Sequence, residues 1–391
     1  MLTIVGWPNK PFTAGNGGFG LGSPRRPSIL SSKAVSSTTP LPTLSGIKFE
    51  IKNDHINLIS SDSNISILIV LDNKEKEILT VEQEGEIVID SKYILEIVRK
   101  TDGDIINFET LDGDYIKIFG INSEYKINGM SGNDYPTIAF NDIESATNKF
   151  VLSGAEFFNI VNQTIFACSQ SGIKVALTGV NFKAENGILE VKASDSYRLA
   201  FKKIQLADEY KELNFNFTIP AKYLGDITHS VSLAQNITIT FDNQKVDFSF
   251  SNINIQTRLI DDVFPDASKL ISNTYTQKVL INSKELLNAI DRTSFIKSEG
   301  KNIIKMDINN DSILITSNDQ ISSSFEKLPI ISFEGEPIEV SCSGKYLIDA
   351  VKALDCEETC LTFSGNLKPF IVKNENDDSL IQIISPVRTY K

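Results

Sequence analysis

The chain is poor in several residues that carry chemistry. Two histidines, four cysteines, three methionines and one tryptophan are spread over 391 residues. So few histidines starve any mechanism that needs a histidine base or several histidine metal ligands. Four cysteines in a chain this long are no disulfide scaffold, and reduced thiols are the expectation. No apolar run approaches the ~18 residues of a membrane span, so a transmembrane function is not expected. Cations are also short: 38 Lys and Arg stand against 50 Asp and Glu, a net charge of −12. That balance argues against an ordinary basic-patch DNA binder. The remainder is usual for a globular chain, 41 % apolar and 23 % charged, with length for two or three domains.

Positions 1–49 contain no Asp or Glu and five cations, Lys10, Arg25, Arg26, Lys33 and Lys48. Gly, Pro and Ser dominate from Thr13 to Pro42, and Ile, Asn, Asp and Lys take over from Ile47. Such a break separates an extension from a folded body. Gly15, Gly17 and Gly20 spell a dinucleotide fingerprint. That mechanism needs a following helix and an acidic residue about 20 positions on. Pro24 and Pro27 forbid the helix, and the first acidic residue is Glu50. The glycines therefore read as a flexible segment. The basic, Ser-rich start has the composition of a transit peptide but no clear amphipathic helix. Residues 1–33 are read as an atypical N-terminal segment.

The body repeats itself. Val88–Asp90 leads into SKYILEIVRK (91–100), Phe217–Pro220 into AKYLGDITHS (221–230), and Glu339–Ser343 into GKYLIDAVKAL (344–354). Each unit is a short strand, a small or capping residue, the pair Lys-Tyr, then a helix, at spacings of about 130 and 123 residues. A second helical unit follows Lys149–Ser153 and Lys278–Asn282, with Ser153 and Asn282 as N-caps and Glu156 and Glu285 three residues on. Phe157, Ile160 and Val161, and Leu286, Leu287 and Ile290, recur at helical spacing and predict one buried face per helix. Alternating runs at 187–193, 237–241 and 312–316 predict strands. Two helices against a sheet in about 125 residues make an α+β domain, and three such domains follow one another. The first repeat lacks its first helix, whose place falls in the Gly/Pro-rich residues 15–35.

Polar positions of these helices lean basic: Lys92, Arg99 and Lys100; Lys222; Lys284, Arg292 and Lys297; Lys345 and Lys352. An acidic protein with cationic helix faces holds a polyanion on one surface and repels it elsewhere, through sequence-independent phosphate contacts. Ile94, Leu95 and Val98, Leu224 and Ile227, and Leu347, Ile348 and Val351 are the expected inner faces. Catalytic candidates are weak. Cys356 and Cys360 are spaced C-x₃-C, and a zinc site needs two further ligands, with only Cys342 nearby. Cys168 reads as core, His229 as a helix end, and Asp261-Asp262 as a turn before Phe264-Pro265. No Walker loop, nucleophile elbow or zinc-protease helix occurs in the body. The pattern points to a protein that binds, with no catalytic residue, metal or cofactor.

Several stretches together resemble one family. Leu177–Phe182 followed by Ala193-Ser194-Asp195-Ser196-Tyr197-Arg198-Leu199-Ala200 is similar to the L-x-G-[VM]-x-F…A-T-D-x-[HY]-R-L-A signature of the bacterial DNA polymerase III beta subunits, the sliding clamps. Thr257–Asp261 with Phe264-Pro265-Asp266, Asn133–Pro136, Ile383–Arg388, and Ala34–Ser37 with Pro40–Leu44 also resemble family stretches, so the likeness covers roughly residues 34–391. It implies clamp domains over 34–145 (its start incomplete), 146–267 and 268–391, half of a six-domain ring closed head to tail by a second copy. Double-stranded DNA would pass through the hole without regard to sequence. Cationic helices would line it and sheets would form the rim. The expected setting is the bacterial cytoplasm, at the nucleoid.

The resemblance also implies a partner pocket for a short peptide motif of the polymerase III alpha subunit, the clamp loader, other polymerases and repair proteins. Carried over position by position, it comprises Leu177, Ser194, Tyr197, Arg198, Leu199, Pro265, Leu270, Ile383, Ile384, Pro386, Val387 and Arg388. An apolar groove would take Leu or Phe anchors, with Arg198 and the terminal strand at its rim. Ser194 stands where Thr is usual, Ser196 and Asp262 where Gly is usual, and Lys269 where Arg is common. The family's first strand and first helix have no evident counterpart in residues 1–33. The competing expectation is an open, monomeric, peptide-binding clamp half whose altered start impairs closure. A third, an enzyme using Asp261 or the glycines of the extension, would need turnover or nucleotide binding to support it.

Overall fold

The computed structural model describes residues 2–5, 32–35, 41–72, 79–101, 105–112, 114–267, 270–271, 274–297 and 302–388. The chain divides into two compact units, Met1–Phe158 with Tyr223–Leu259, and Asn159–Lys222 with Ile260–Lys391. The division cuts through the middle repeat. Each unit therefore holds one joint between successive repeats.

In the first unit a nine-stranded antiparallel sheet runs, in spatial order, Met130–Ser131, Gly85–Asp90, Gly46–Ile51, His55–Ser61, Ile65–Asp72, Ile253–Arg258, Lys245–Phe250, Asn236–Phe241 and Lys149–Ser153. The joint is the ladder between Ile65–Asp72 and Ile253–Arg258, with Ile67 opposite Ile255. A five-stranded sheet runs Leu79–Val81, Leu2–Val5, Ile105–Thr110, Tyr115–Phe119 and Glu124–Asn128. In the second unit the nine-stranded sheet runs Phe215–Pro220, Gly179–Glu185, Ile188–Ser194, Arg198–Gln205, Asp377–Ile384, Phe370–Asn374, Glu358–Phe363, Gln277–Asn282 and Ser332–Glu334. Its joint is the ladder between Arg198–Gln205 and Asp377–Ile384, with Leu199 opposite Ile383. A four-stranded sheet runs Ser323–Pro329, Ser312–Asn318, Ile303–Ile308 and Ile338–Ser343.

Leu2–Val5 corrects the reading of the N-terminus. These residues pair antiparallel with Leu79–Val81 on one side and Ile105–Thr110 on the other. The apolar β-formers Leu2, Ile4 and Val5 suffice for a strand once two neighbours offer a ladder. The glycines at 15, 17 and 20 lie outside the described residues. Of the span 15–35 expected to lack a helix, only 32–35 is described, and Ser32–Ala34 is a single 3₁₀ turn.

The described α-helices are α1 (Ser91–Lys100), α2 (Gly154–Asn162), α3 (Ala221–Thr228), α4 (Ser283–Thr293) and α5 (Gly344–Leu354). Each is entered straight from a strand. Ser153 and Glu156 form a reciprocal capping box: the Glu156 amide donates to Ser153 Oγ at 3.2 Å and the Ser153 amide to Glu156 Oε2 at 2.9 Å. Asn282 Oδ1 accepts from the Glu285 amide at 3.0 Å. Three helices are shorter than their periodicity suggested. In α2, Thr164 Oγ1 donates back to the Ile160 carbonyl at 2.7 Å, and a 3₁₀ turn, Ile165–Ala167, follows. Beyond α4, Asn302 Nδ2 takes the Thr293 and Ile296 carbonyls at 3.0 Å each, closing the helix end. α3 ends at Thr228, leaving His229 exposed beyond it. In α1 it is Ile97 that is buried with Ile94 and Val98, while Leu95 is half-buried.

One loop recurs in all three repeats. Asp62 Oδ1 accepts from the amides of Asn64 and Ile65, Asp195 Oδ1 from Tyr197 and Arg198, and Asp319 Oδ1 from Ile321 and Ser322. Each carboxylate pins the hairpin that leads into the fourth strand of its repeat. Ser63 and Ser196 hold the same place in their loops, at φ 76° and 79°.

Candidate functional site

The twelve residues expected to form a peptide pocket all fall in the second unit, around its joint. Leu177 closes a 3₁₀ turn, Val175–Thr178, and is buried. Leu199 and Ile383 face each other across the joint ladder and pack with Phe201, Ala267 and Ile381, with Ile271 against them. Ile384, opposite Arg198, points to the other face and joins the core of the third repeat. The terminal segment is tied down at both ends: the Ser385 amide donates to the Tyr197 carbonyl at 2.8 Å and the Val387 amide to the Ser341 carbonyl at 2.7 Å. Pro386 and Val387 stay half-buried, while Tyr197, Pro265, Leu270 and Arg388 are exposed. The Ser194 hydroxyl donates to the Arg198 carbonyl at 2.6 Å and accepts from the Ser196 amide at 3.1 Å, so the retained hydroxyl shapes this hairpin.

Arg198 is turned inward. Its Nε donates to Asp195 Oδ2 at 3.0 Å, Nη1 to Asp349 Oδ2 at 2.7 Å, and Nη2 to the Phe166 carbonyl at 2.6 Å. The guanidinium lies 4.3 Å from the Tyr346 ring centroid and 5.3 Å from that of Phe166, and the side chain is 10 % exposed. All three guanidinium nitrogens thus donate inside the protein. Burial, then the charge of Asp195, pushes the Tyr346 pKa up. Burial also pushes the nearby Cys168 thiol up to about 12, consistent with a core role.

Further exposed apolar residues lie close in sequence to the expected pocket residues and were not singled out. Ile173 is 91 % and Val263 is 84 % exposed, and Val175 is also exposed. Asp262 Oδ2 accepts from the Ala176 amide at 3.2 Å, which ties the segment before Val263 to the turn that carries Val175. Lys174 Nζ donates to Ser196 Oγ at 3.3 Å, which draws the same turn toward Tyr197. Ile173 and Val175 thus stand exposed just before buried Leu177, and Val263 just before exposed Pro265. The sequence signal was the alternation Ile173-x-Val175-x-Leu177 after Gly172. Ser196 adopts the left-handed backbone expected of a glycine position, and Asp262 does not. Lys269 lies outside the described residues.

The expected DNA-facing cations divide by environment. Lys92, Lys222, Lys284, Lys297, Lys345 and Lys352 are exposed on or just beyond their helices. Arg99 and Lys100 share Glu96, at 2.8 and 3.1 Å. Arg292 is bound at two points by Glu326, at 3.0 and 2.7 Å, on the outer strand of the four-stranded sheet. α4 and α5 pack together. Among the described residues, no group of three or more His, Cys, Asp and Glu is placed to hold a metal ion. Cys356 donates to the Glu358 carbonyl at 3.1 Å, and Cys342 and Cys360 are buried. Among the described residues, no helix is long and apolar enough to cross a membrane.

Models of the N-terminal, central and C-terminal domains of the DNA polymerase III beta subunit match residues 30–139, 151–266 and 268–388. The chain is 35 % identical to the beta sliding clamp of Bacillus subtilis over 364 residues, 92 % of this chain and 95 % of that one. It is 35 % identical over 363 residues to the beta sliding clamp of Staphylococcus epidermidis, with the same shares covered. The crystal structure of the Bacillus subtilis DNA polymerase sliding clamp superposes with a TM-score of 0.90 at 32 % identity, covering all of this chain and 99 % of that one. A putative DNA polymerase III beta subunit from Eubacterium rectale superposes with a TM-score of 0.86 at 27 % identity, covering 93 % of this chain and 96 % of that one. Three tandem α+β repeats joined sheet to sheet, and these matches across their length, place the chain in the family of the DNA polymerase III beta subunits, the beta sliding clamps.

Proposed function

We propose that two copies of this chain close head to tail into a ring of six clamp domains, which slides on duplex DNA and tethers the replicative polymerase. The protein is a non-catalytic processivity factor. The observation that carries the ring is the order of the strands. At both internal joints the last strand of one repeat pairs with the fourth strand of the repeat before it. The corresponding strands left at sheet edges are Glu124–Asn128, the last long strand of the first repeat, and Ser323–Pro329, fourth in the third repeat. An uncovered sheet edge is a template for pairing with another chain. Phe325 on the latter edge is 73 % exposed, the kind of apolar side chain an interface covers. Pairing the two edges between copies, in both directions, closes the ring and leaves no open edge of this kind.

The exposed lysines of α1, α3, α4 and α5 face the enclosed DNA and contact its phosphates. Enclosure holds the clamp without tight contacts, so sliding stays fast. The groove bounded by Leu177, Tyr197, Leu199, Pro265, Leu270 and Pro386 takes the clamp-binding peptides of the polymerase III alpha subunit, the clamp loader and repair proteins, with Leu or Phe anchors inside. The setting is the bacterial cytoplasm. A chain loaded on a nicked circular plasmid should stay bound in 0.5 M salt, roughly the regime where phosphate contacts fail, and run off once the plasmid is cut. Charge reversal at Lys222 and Lys352 should reduce retention at low salt. Equal loss from circular and linear DNA would refute encirclement.

A further inference from the structure

We infer that Tyr93 of one copy donates a hydrogen bond to Asp319 of the next, making the Lys-Tyr pair of the first repeat part of the ring-closing contact. This rests on the head-to-tail ring proposed above. The Lys-Tyr pair opens the second helix of all three repeats, and no role in DNA or peptide binding explains its tyrosine.

The two internal joints show what the tyrosine does. At the first, the Tyr223 hydroxyl donates to Asp62 Oδ2 at 3.5 Å. Tyr223 belongs to the second repeat, and Asp62 is the hairpin aspartate of the first. At the second joint, Tyr346 of the third repeat meets the hairpin of the second. Its ring stacks 4.3 Å from the guanidinium that Asp195 binds at 3.0 Å. In both cases the tyrosine of the following repeat reaches the hairpin aspartate of the preceding one, beside the ladder that joins them.

Tyr93 belongs to the first of the three repeats. It is 54 % exposed, whereas Tyr223 and Tyr346 are half-buried. Asp319 belongs to the third repeat. It is built like its counterparts, its Oδ1 accepting from Ile321 at 2.8 Å and Ser322 at 2.6 Å. Asp62 uses its other oxygen for the tyrosine, and Asp319 Oδ2 is the corresponding acceptor. The ring that pairs Glu124–Asn128 with Ser323–Pro329 sets the first repeat behind the third, in the same order as the internal joints. Tyr93 then faces Asp319.

The test is a double-mutant cycle on the dimer dissociation constant, measured by subunit exchange between donor- and acceptor-labelled full chains. Tyr93→Phe removes only the hydroxyl, and Asp319→Asn keeps an oxygen for the hairpin amides, so both variants fold. Each ring contains the contact twice, so about a fivefold loss per contact becomes about 25-fold in the dissociation constant. Both single variants should show that loss, the double variant should lose no more than either, and Tyr223→Phe should leave the constant unchanged. A dimeric wild type whose single variants stay within twofold, or whose losses multiply in the double variant, overturns the contact and leaves the ring standing. A wild type that is monomeric at all concentrations overturns the ring and this inference with it.

Discussion

Removing the Arg198 side chain should destabilise the second unit and weaken peptide binding without removing any donor from the groove. This guanidinium donates three charge-assisted hydrogen bonds, to Asp195, Asp349 and the Phe166 carbonyl, and two rings stack on it. Hydrogen bonds to charged groups contribute roughly 1.5–3 kcal/mol each, and a shielded cation–π contact about 1 kcal/mol. These do not add. Breaking a buried pair by deleting one partner costs about 3–5 kcal/mol, because the other charge stays behind. Asp195 and Asp349 are 13 % and 26 % exposed, so water recovers part of that loss. The expected cost of Arg198→Ala is about 3–4 kcal/mol, read by urea unfolding of the full chain with far-ultraviolet circular dichroism. Arg198→Lys keeps the charge but not the fork or the stacking, and should recover less than half. Asp349→Asn lies on α5, behind the groove, and should lower the affinity for a clamp-motif peptide several-fold through the displaced Tyr197–Leu199 segment. Arg198→Ala within 1 kcal/mol of wild type would refute the reasoning.

Asp247 tests the linker between the first two repeats. It is fully buried and accepts from the Asn141 amide at 2.7 Å and Gln256 Nε2 at 3.1 Å, and burial pushes its pKa up to about 6. A folded pKa above the unfolded value means that ionisation opposes folding. The contribution is complete below about pH 4 and lost as pH rises through 6, about 3 kcal/mol in all. Asp247→Asn should therefore gain about 1–3 kcal/mol on wild type at pH 8 and little at pH 4, and a pH-independent difference would contradict this. Ser196 and Asp262 should respond to glycine with opposite signs. Ser196→Gly relieves a left-handed backbone and should gain up to about 1 kcal/mol. Asp262→Gly loses the carboxylate that binds the Ala176 amide and should cost about 1–2 kcal/mol. Thermal melts of the two variants decide both.

The repeat was legible because its signals are local. A strand, a cap, Lys-Tyr and an apolar face at helical spacing were enough to place α1 and α5 to the residue, and Ser153 and Asn282 cap as their side chains predict. Helix ends were less legible, since they depend on partners distant in sequence or on back-bonding: Asn302 closes α4, and Thr164 ends α2. The strand at Leu2–Val5 was missed because four residues carry little periodicity, and its ladder partners lie some eighty to a hundred residues away. The proposed groove rests on the resemblance, since Leu177, Leu199 and Ile383 look like any core residues. Arg198 was expected at the rim. Its inward turn depends on Asp349 and Tyr346, 151 and 148 positions on, which no local pattern announces.

Ring closure requires that the chain bind a second copy of itself. Light scattering of the full-length protein across a hundredfold range of concentration tests it directly. A closed ring should give a mass near twice 43.3 kDa that holds on dilution, because each ring is sealed at two edges. A mass near 43.3 kDa throughout would contradict it and leave an open, peptide-binding clamp half.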